Sequence, residues 1–594
     1  MTSDALDGLD EHQLEAARAL RGPVCVLAGA GTGKTRVITR RIAHGVDTGA
    51  YSPQRVMAVT FTAKAAGEMR GRLRALGVSG VSARTFHAAA LAQVNYFWPT
   101  LAADQAPSII DNKVRMLAHA ADGIGLAPDT ATLRDVAAQI EWRKVTMRSI
   151  EQYAAARPDG VGRLRVEQVV DLQRAYEKLK DERRQMDFED VLLTCAGMIE
   201  AEPRVAAAVH EQYRHFTVDE FQDVSPLQNR LLELWLGDRR DLCVVGDASQ
   251  TIYSFTGADA RYLLEFDRTY DDARVVRLER NYRSTGAVLA VANDLMRGRA
   301  GALELVAARD GDASVPAARD GDDPLPAVRA YDDDEAEAVG IAAEVAGIIA
   351  AGADPDSIAI LYRSHAQSAV VLNALSSRGI AATVLGGRKF FDMPEVRQAL
   401  MALRAASVAP VETGFLATVR DVLRGVGLTD DPPQAGGALR DGWEARAALL
   451  RLAEEAAPGT DLRSFTDDLQ ARARDQHEPA TRTVTLSTLH AAKGLEWDHV
   501  FLIGVSEGLL PISYATTFEA VDEERRLAYV GVTRAARSLT VSWARGRGRA
   551  DREPSRFLRE IGTGSLRSAD ALPRHAGASR RAGAASGTGR PVVR

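Results

Sequence analysis

The chain has 594 residues, a length beyond the roughly 250–300 at which single cores stop growing, which predicts several domains. It is 46% hydrophobic and 26% charged, ordinary for a soluble globular protein; its three scattered cysteines form no CxxC pair, which argues against a zinc site or disulfide framework and suits a reducing cytoplasm. The formal net charge of −6 leaves nucleic-acid binding open, because a narrow basic channel can sit in an acidic protein.

Residues 1–10 are acidic and lack the apolar core of a signal peptide, and no apolar run approaches the ~20 residues of a membrane span. Apolar runs ending in polar or Gly-rich turns predict strands of parallel sheets, with functional loops at their carboxyl ends. They fall at 24–28, 56–60, 215–218, 242–246, 358–362, 484–488, 499–504 and 539–544, alternating with helical stretches. Two blocks break the alternation. Residues 100–205 read as mostly helical, and 398–481 as Ala- and Arg-rich helix with a PPQAGG break at 432–437. The acidic stretch 309–337 reads as a solvated loop. The tail from Gly562, with six arginines against one aspartate, predicts disorder, with a weak tether to DNA as the alternative.

The first strand runs into AGAGTGKT at 28–35 and then a helical segment. Such a turn aims backbone N–H groups and a positive helix end at phosphate. The expected nucleotide-binding stretch is Ala28, Gly29, Ala30, Gly31, Thr32, Gly33, Lys34, Thr35 and Arg36, with Lys34 reaching the β- and γ-phosphates and the Thr35 hydroxyl on Mg²⁺. Ala28 stands where the usual pattern has its first glycine. A second apolar strand ends in VDEFQD at 218–223: Asp219 falls where P-loop folds place a magnesium-binding carboxylate, and Glu220 is suited to take the proton of an attacking water. The two motifs together predict an ATP hydrolase with Mg²⁺.

With those motifs in order, residues from about 9 to 560 resemble superfamily 1 DNA helicases of the UvrD/PcrA/Rep family, as an actinobacterial-type member with a shortened accessory subdomain. LDEHQ (9–13), VTFTAKAAGEM (59–69), ARTFH (83–87), VVGDASQTIYSFTGA (244–258), LERNYRS (278–284), STLHAAKGLEWDHVF (487–501) and EERRLAYVGVTRA (523–535) look like its ordered motifs. The resemblance implies an α/β fold of two RecA-like P-loop motor domains with parallel sheets, each carrying a mainly helical inserted subdomain. The expected division is 1–99 with 206–282, then 283–397 with 482–560, the inserts being 100–205 and 398–481, and 561–594 a tail.

It also implies roles. Gln13 reads the adenine edge, Tyr282 stacks on the base, Glu496 bonds the ribose and Gln250 senses the γ-phosphate. Charge building on that phosphate calls for convergent cations, and Arg283 and Arg534 from the second motor are the candidates. Single-strand binding needs aromatic faces and phosphate donors; the family places Phe61, Tyr253 and Phe255 against bases, and Thr60, Thr62, Thr85, His87 and His490 look like backbone contacts. For Phe61 and Phe255, core packing stays open. Thr256 occupies the position where relatives carry an arginine. The implied partners are single-stranded and tailed duplex DNA, with no membrane, acting as monomer or dimer. The implied activity is 3′→5′ unwinding in DNA repair or replication restart. The alternative is a translocase that strips proteins with little unwinding.

Overall fold

The computed structural model describes residues 5–308, 325–385, 391, 393–407, 414–430, 438–454, 456, 459–475, 482–546, 551–562 and 564–568. Two parallel sheets organise it. The first has six strands in the order Ser82–Thr85, Val56–Thr60, His215–Val218, Leu242–Gly246, Val24–Ala28 and Arg274–Leu278. Alternate residues of one strand feed opposite cores. Cys25, Met57, Val59, Phe216 and Val244 point to one face, and Val24, Val26, Ala58, Cys243 and Val245 to the other. Burial on both faces is why these strands read as continuous apolar runs.

The second sheet has seven strands in the order Ala382–Val384, Val484–Thr488, Ile358–Tyr362, Trp497–Leu502, Ala535–Ala544, Ala327–Tyr331 and Arg567–Ser568. Helices Gly286–Met296 and Phe518–Val532 cover one face, and Asp334–Ala350 and Ser368–Ser376 the other. The protein is thus an α/β fold with two parallel-sheet lobes. Ala30 and Ile252 of the first lobe belong to the same apolar cluster as Leu489, Ala528 and Tyr529 of the second, so the seam is packed.

Helices Lys113–Gly123, Thr130–Val145, Ile150–Ala156 and Val166–Arg183 enclose a separate core around Leu117, Val136, Tyr153, Leu172 and Tyr176. Asn112, Asp129 and Ser149 cap the first three. Helix Phe188–Ala201, within the stretch read as an insert, instead packs Leu192, Cys195 and Ile199 into the core of the first sheet. Helices Pro394–Ala406, Phe415–Gly425, Ala438–Glu454 and Leu462–Asp475 share their own core between strands Ala382–Val384 and Val484–Thr488.

Two sequence expectations are corrected. The acidic stretch does not end as a solvated loop. Residues 309–324 lie outside the described residues, but Ala327–Tyr331 is a strand inside the second sheet and Asp333 caps helix Asp334–Ala350. Asp334, Glu335 and Glu337 occupy the helix's first turn, where they complement its positive end. Residues 567–568, within the tail, pair with Ala327 and Val328; residues 569–594 lie outside the described residues, as does the PPQAGG break.

A buried ionic network joins the helical insert to helix Phe188–Ala201. Asp187 caps that helix and accepts from Lys144 Nζ at 2.8 Å and the Tyr176 hydroxyl at 3.0 Å. Lys180 pairs with Glu177 at 2.5 Å and with Asp190. Removing one member leaves the other charges buried and under-compensated. Asp187→Ala is therefore expected to cost about 3 kcal/mol, read from the midpoint and slope of urea unfolding. A loss under about 1 kcal/mol would mean that Glu177 and Asp190 alone neutralise the two lysines.

Candidate active site and nucleic-acid interface

Strand Val24–Ala28 delivers the loop 29–33 to the N-terminus of helix Lys34–Asp47. Gly31 and Gly33 sit at φ +69° and +84°, a left-handed region that L side chains resist. At Gly31 space matters as well, since a Cβ there would collide with the Asn281 amide and with Cβ of Arg283. The first-turn N–H groups of the helix have no intrahelical acceptors, as a phosphate cradle requires. Lys34 Nζ stands 3.4 Å from the Ala28 carbonyl, Thr35 lies in the same first turn, and the Thr32 hydroxyl is spent on the Gly29 carbonyl at 2.9 Å. Buried Gln13 donates to the Thr32 carbonyl at 2.9 Å. Arg36 turns away from the loop, to the Gly8 carbonyl at 2.7 Å.

Asp219 and Glu220 follow strand His215–Val218. Glu220 is held at φ +53°, a conformation costly for a residue with a Cβ, and its N–H donates to Asp219 Oδ1 at 3.0 Å. Burial, then the charge of Glu220 beside it, raises the pKa of Asp219. Burial would raise Glu220 too, but Lys34 and Lys493 outweigh it and hold Glu220 below the usual carboxylate range. Buried Asp223 pairs with Lys493, whose Nζ also donates to the Gln250 carbonyl at 2.7 Å and lies 5.2 Å from the Tyr253 ring centroid. Gln250 donates to Asp247 Oδ2 at 2.6 Å, and Tyr529 of the second lobe reaches the same oxygen at 3.4 Å.

The segment 280–284 clasps the phosphate loop. Asn281 Nδ2 donates to the Ala30 carbonyl at 2.6 Å and Tyr282 N–H to the Gly31 carbonyl at 2.9 Å. This brings Arg283 alongside the loop, where its Nη2 pairs with Glu496 at 2.5 Å while its Nε is buried with no hydrogen-bond partner among the described residues. The Tyr282 hydroxyl donates to Asp10 at 2.5 Å. Arg534 is 2% exposed just past helix Phe518–Val532, and its guanidinium donates to the carbonyls of Val530 and Leu495, both at 3.0 Å, and to the Thr533 hydroxyl at 3.1 Å. Among the described residues no carboxylate pairs with it. Burial, then Arg283, pushes its pKa down to about 9, which leaves it charged at neutral pH.

A second face carries an aromatic row. Phe61 stacks on Tyr253 with ring centroids 5.8 Å apart and planes 14° apart, and Phe255 meets His490 edge-on at 5.8 Å. Tyr253 also lies 6.3 Å from both Phe255 and His490, so the row crosses the seam between the lobes. At 39% and 60% exposure, Phe61 and Phe255 are not core residues, which decides the alternative left open by the sequence. His87 lies in the same lobe as Phe61, with its ring edge-on to the exposed Phe188 at 5.9 Å. Thr62 and Thr85 cap helices, accepting from the N–H groups of Ala65 and Ala88. Thr60 is only 1% exposed and its hydroxyl is buried. Thr256 donates its hydroxyl back to the Tyr253 carbonyl at 2.8 Å.

Sequence reading did not single out Asn281, Lys493, Asp223, Asp247 or Tyr529. All stand inside quoted motifs, and that placement was the available signal. Burial, then Arg363 and Lys493, lowers His490 to about 4. Its folded pKa is below the unfolded value, so its contribution to stability is present above about pH 6.5 and is lost as pH falls toward 4. A proton-NMR titration should give His490 a midpoint near 4, whereas one near 6.5 would contradict this packing.

The UvrD/REP helicase N-terminal domain family matches residues 9–271, and the UvrD-like helicase C-terminal domain family matches 276–427 and 447–546. The chain is 47% identical to the ATP-dependent DNA helicase UvrD2 of Mycobacterium tuberculosis, over 97% of this chain and 84% of that protein. It is 28% identical to the ATP-dependent DNA helicase PcrA of Bacillus subtilis, over 94% of this chain and 86% of that protein.

Proposed function

The chain belongs to the UvrD/REP helicase family, and on that premise we propose that it is an ATP-dependent DNA helicase, translocating 3′→5′ on single-stranded DNA and unwinding duplex in repair or replication restart. The observation that carries this reading is the meeting at one loop of Lys34, Asp219 and Glu220 from the first lobe with Arg283 and Arg534, which lies in the second. Lys34 and the loop N–H groups bind the triphosphate, Glu220 takes the proton of the attacking water, and the two guanidiniums oppose the charge that develops in transfer. Arg283 must exchange its Glu496 partner for phosphate, which frees Glu496 toward the ribose.

The chemistry of the donor set fits Mg²⁺. Among the described residues no group of three His, Cys, Asp or Glu could hold a metal ion alone. Mg²⁺ ordinarily takes few protein ligands and completes its octahedron with phosphate and water, so Thr35 and Asp219 suffice.

Because Arg534 lies in the second lobe, closure and hydrolysis are coupled. The coupling reaches DNA through residues 247–255, where Lys493 touches both the Gln250 carbonyl and the Tyr253 ring of the aromatic row. Each stacked base contributes about 1–3 kcal/mol to the grip, against about 1.4 kcal/mol to unstack an average base-pair step. One feature favours a second reading, a translocase that displaces proteins and unwinds little: Thr256 adds no positive charge beside the row, which lowers the expected grip on the strand.

Lys34→Ala is expected to reduce ATP hydrolysis by at least about 10³-fold while single-strand binding survives; wild-type turnover in that variant would remove the phosphate assignment. Strand displacement on 3′-tailed and 5′-tailed duplexes, alongside ATPase with and without single-stranded DNA, separates the two readings. Displacement from the 3′ tail alone supports the helicase, and DNA-stimulated ATPase without displacement supports the translocase.

A further inference from the structure

We infer that Asp10 is a positioning residue for the base end of the nucleotide site, through which the chain selects adenine over guanine nucleotides. The inference rests on the reading of Gln13 and Tyr282 as the groups that face the base. Asp10 caps helix Glu11–Arg18: its Oδ1 accepts from Gln13 N–H at 2.8 Å, and its own N–H donates to Gln13 Oε1 at 3.2 Å. Its other oxygen accepts the Tyr282 hydroxyl at 2.5 Å, from a segment 272 residues further along the chain. One carboxylate thus holds both base-facing residues, and one of them is tied to the segment that clasps the phosphate loop.

The consequence for selectivity follows from the amide of Gln13. A carboxamide has two N–H donors and two acceptor lone pairs. Here one N–H is spent on the Thr32 carbonyl and one lone pair on the Asp10 N–H, so one donor and one acceptor remain, in a fixed order. Flipping the amide would set its oxygen against the Thr32 carbonyl and its NH₂ against the Asp10 N–H, two contacts between like partial charges. Gly33 leaves this amide its place, because a Cβ there would stand only 2.9 Å from Gln13 Nε2. A donor beside an acceptor matches the N6 and N7 edge of adenine; guanine offers two acceptors there, O6 and N7, one of which would meet the Gln13 oxygen. The Asp10 carboxylate also fixes the Tyr282 ring by its hydroxyl, leaving the ring face for the base.

Calorimetric titration of ADP and GDP into the wild type, Asp10→Ala, Asp10→Asn, Tyr282→Phe and the double variant Asp10→Ala/Tyr282→Phe tests this, with KM and kcat for ATP and GTP measured in parallel. The wild type should bind ADP more tightly than GDP. Asp10→Ala should narrow that preference about tenfold and raise the KM for ATP with little change in kcat, as expected for loss of a hydrogen bond to a charged group. Asp10→Asn keeps the cap acceptor and should melt like the wild type, yet should still lose part of the preference. The double variant should be no worse than Asp10→Ala alone, because both changes break one contact. Fully additive losses would overturn the link between Asp10 and Tyr282. A lowered melting temperature with the ADP-to-GDP ratio unchanged would reduce Asp10 to a helix cap and overturn the inference. A wild type without any preference would overturn the underlying reading of Gln13 and Tyr282 instead.

Discussion

A guanidinium withdrawn from water is the constraint around which this molecule is arranged. Arg534 is almost wholly buried, and its partners are two carbonyl oxygens and a hydroxyl. Neutral acceptors satisfy its N–H groups but do not cancel its charge, and a buried charge without a counterion is costly. The nearby acids Glu220 and Glu496 ease that cost through space, yet Glu220 also faces Lys34 and Lys493, and Glu496 is paired with Arg283. Arg534 therefore brings to the seam a positive charge that no carboxylate pairs with among the described residues, which suits it to oppose charge developing on a phosphate held between the two lobes.

The same seam joins the phosphate loop to the aromatic row. Asn281 and Tyr282 hold the loop backbone, while Tyr529 and Gln250 meet on Asp247. Lys493 spans Asp223, the Gln250 carbonyl and the Tyr253 ring. Neither lobe can shift without disturbing these contacts, and Tyr253 and Phe255 of one lobe already touch His490 of the other. Two packings of one interface, biased by nucleotide on one side and by a strand on the other, are what a stepping motor requires.

What was legible in the sequence follows from burial. Strands Val24–Ala28, Val56–Thr60, His215–Val218, Leu242–Gly246, Ile358–Tyr362 and Val484–Thr488 have the residue bounds read from their apolar runs, because both faces of each are covered. Arg274–Leu278 escaped notice because it is an edge strand whose exposed arginines interrupt the apolar signal, and Ala327–Tyr331 because it lies among acids that belong to a helix start. In the site, the phosphate loop and the carboxylates were legible because each lies at the end of a recognisable strand. The pairing of Arg283 with Glu496 and the clasp of Asn281 were not, since both depend on residues more than 200 positions apart meeting in the fold. Exposure of Phe61 and Phe255, and burial of Thr60, likewise belong to tertiary packing.

The most direct measurement is steady-state ATP turnover of Arg534→Ala in saturating single-stranded DNA, with ATP affinity followed separately by equilibrium binding. If Arg534 completes the charge-stabilising site on closure, kcat falls by about 10³-fold or more while ATP affinity changes far less. Turnover within a few-fold of the wild type, with the variant folded and binding ATP, would contradict the two-lobed engine described above.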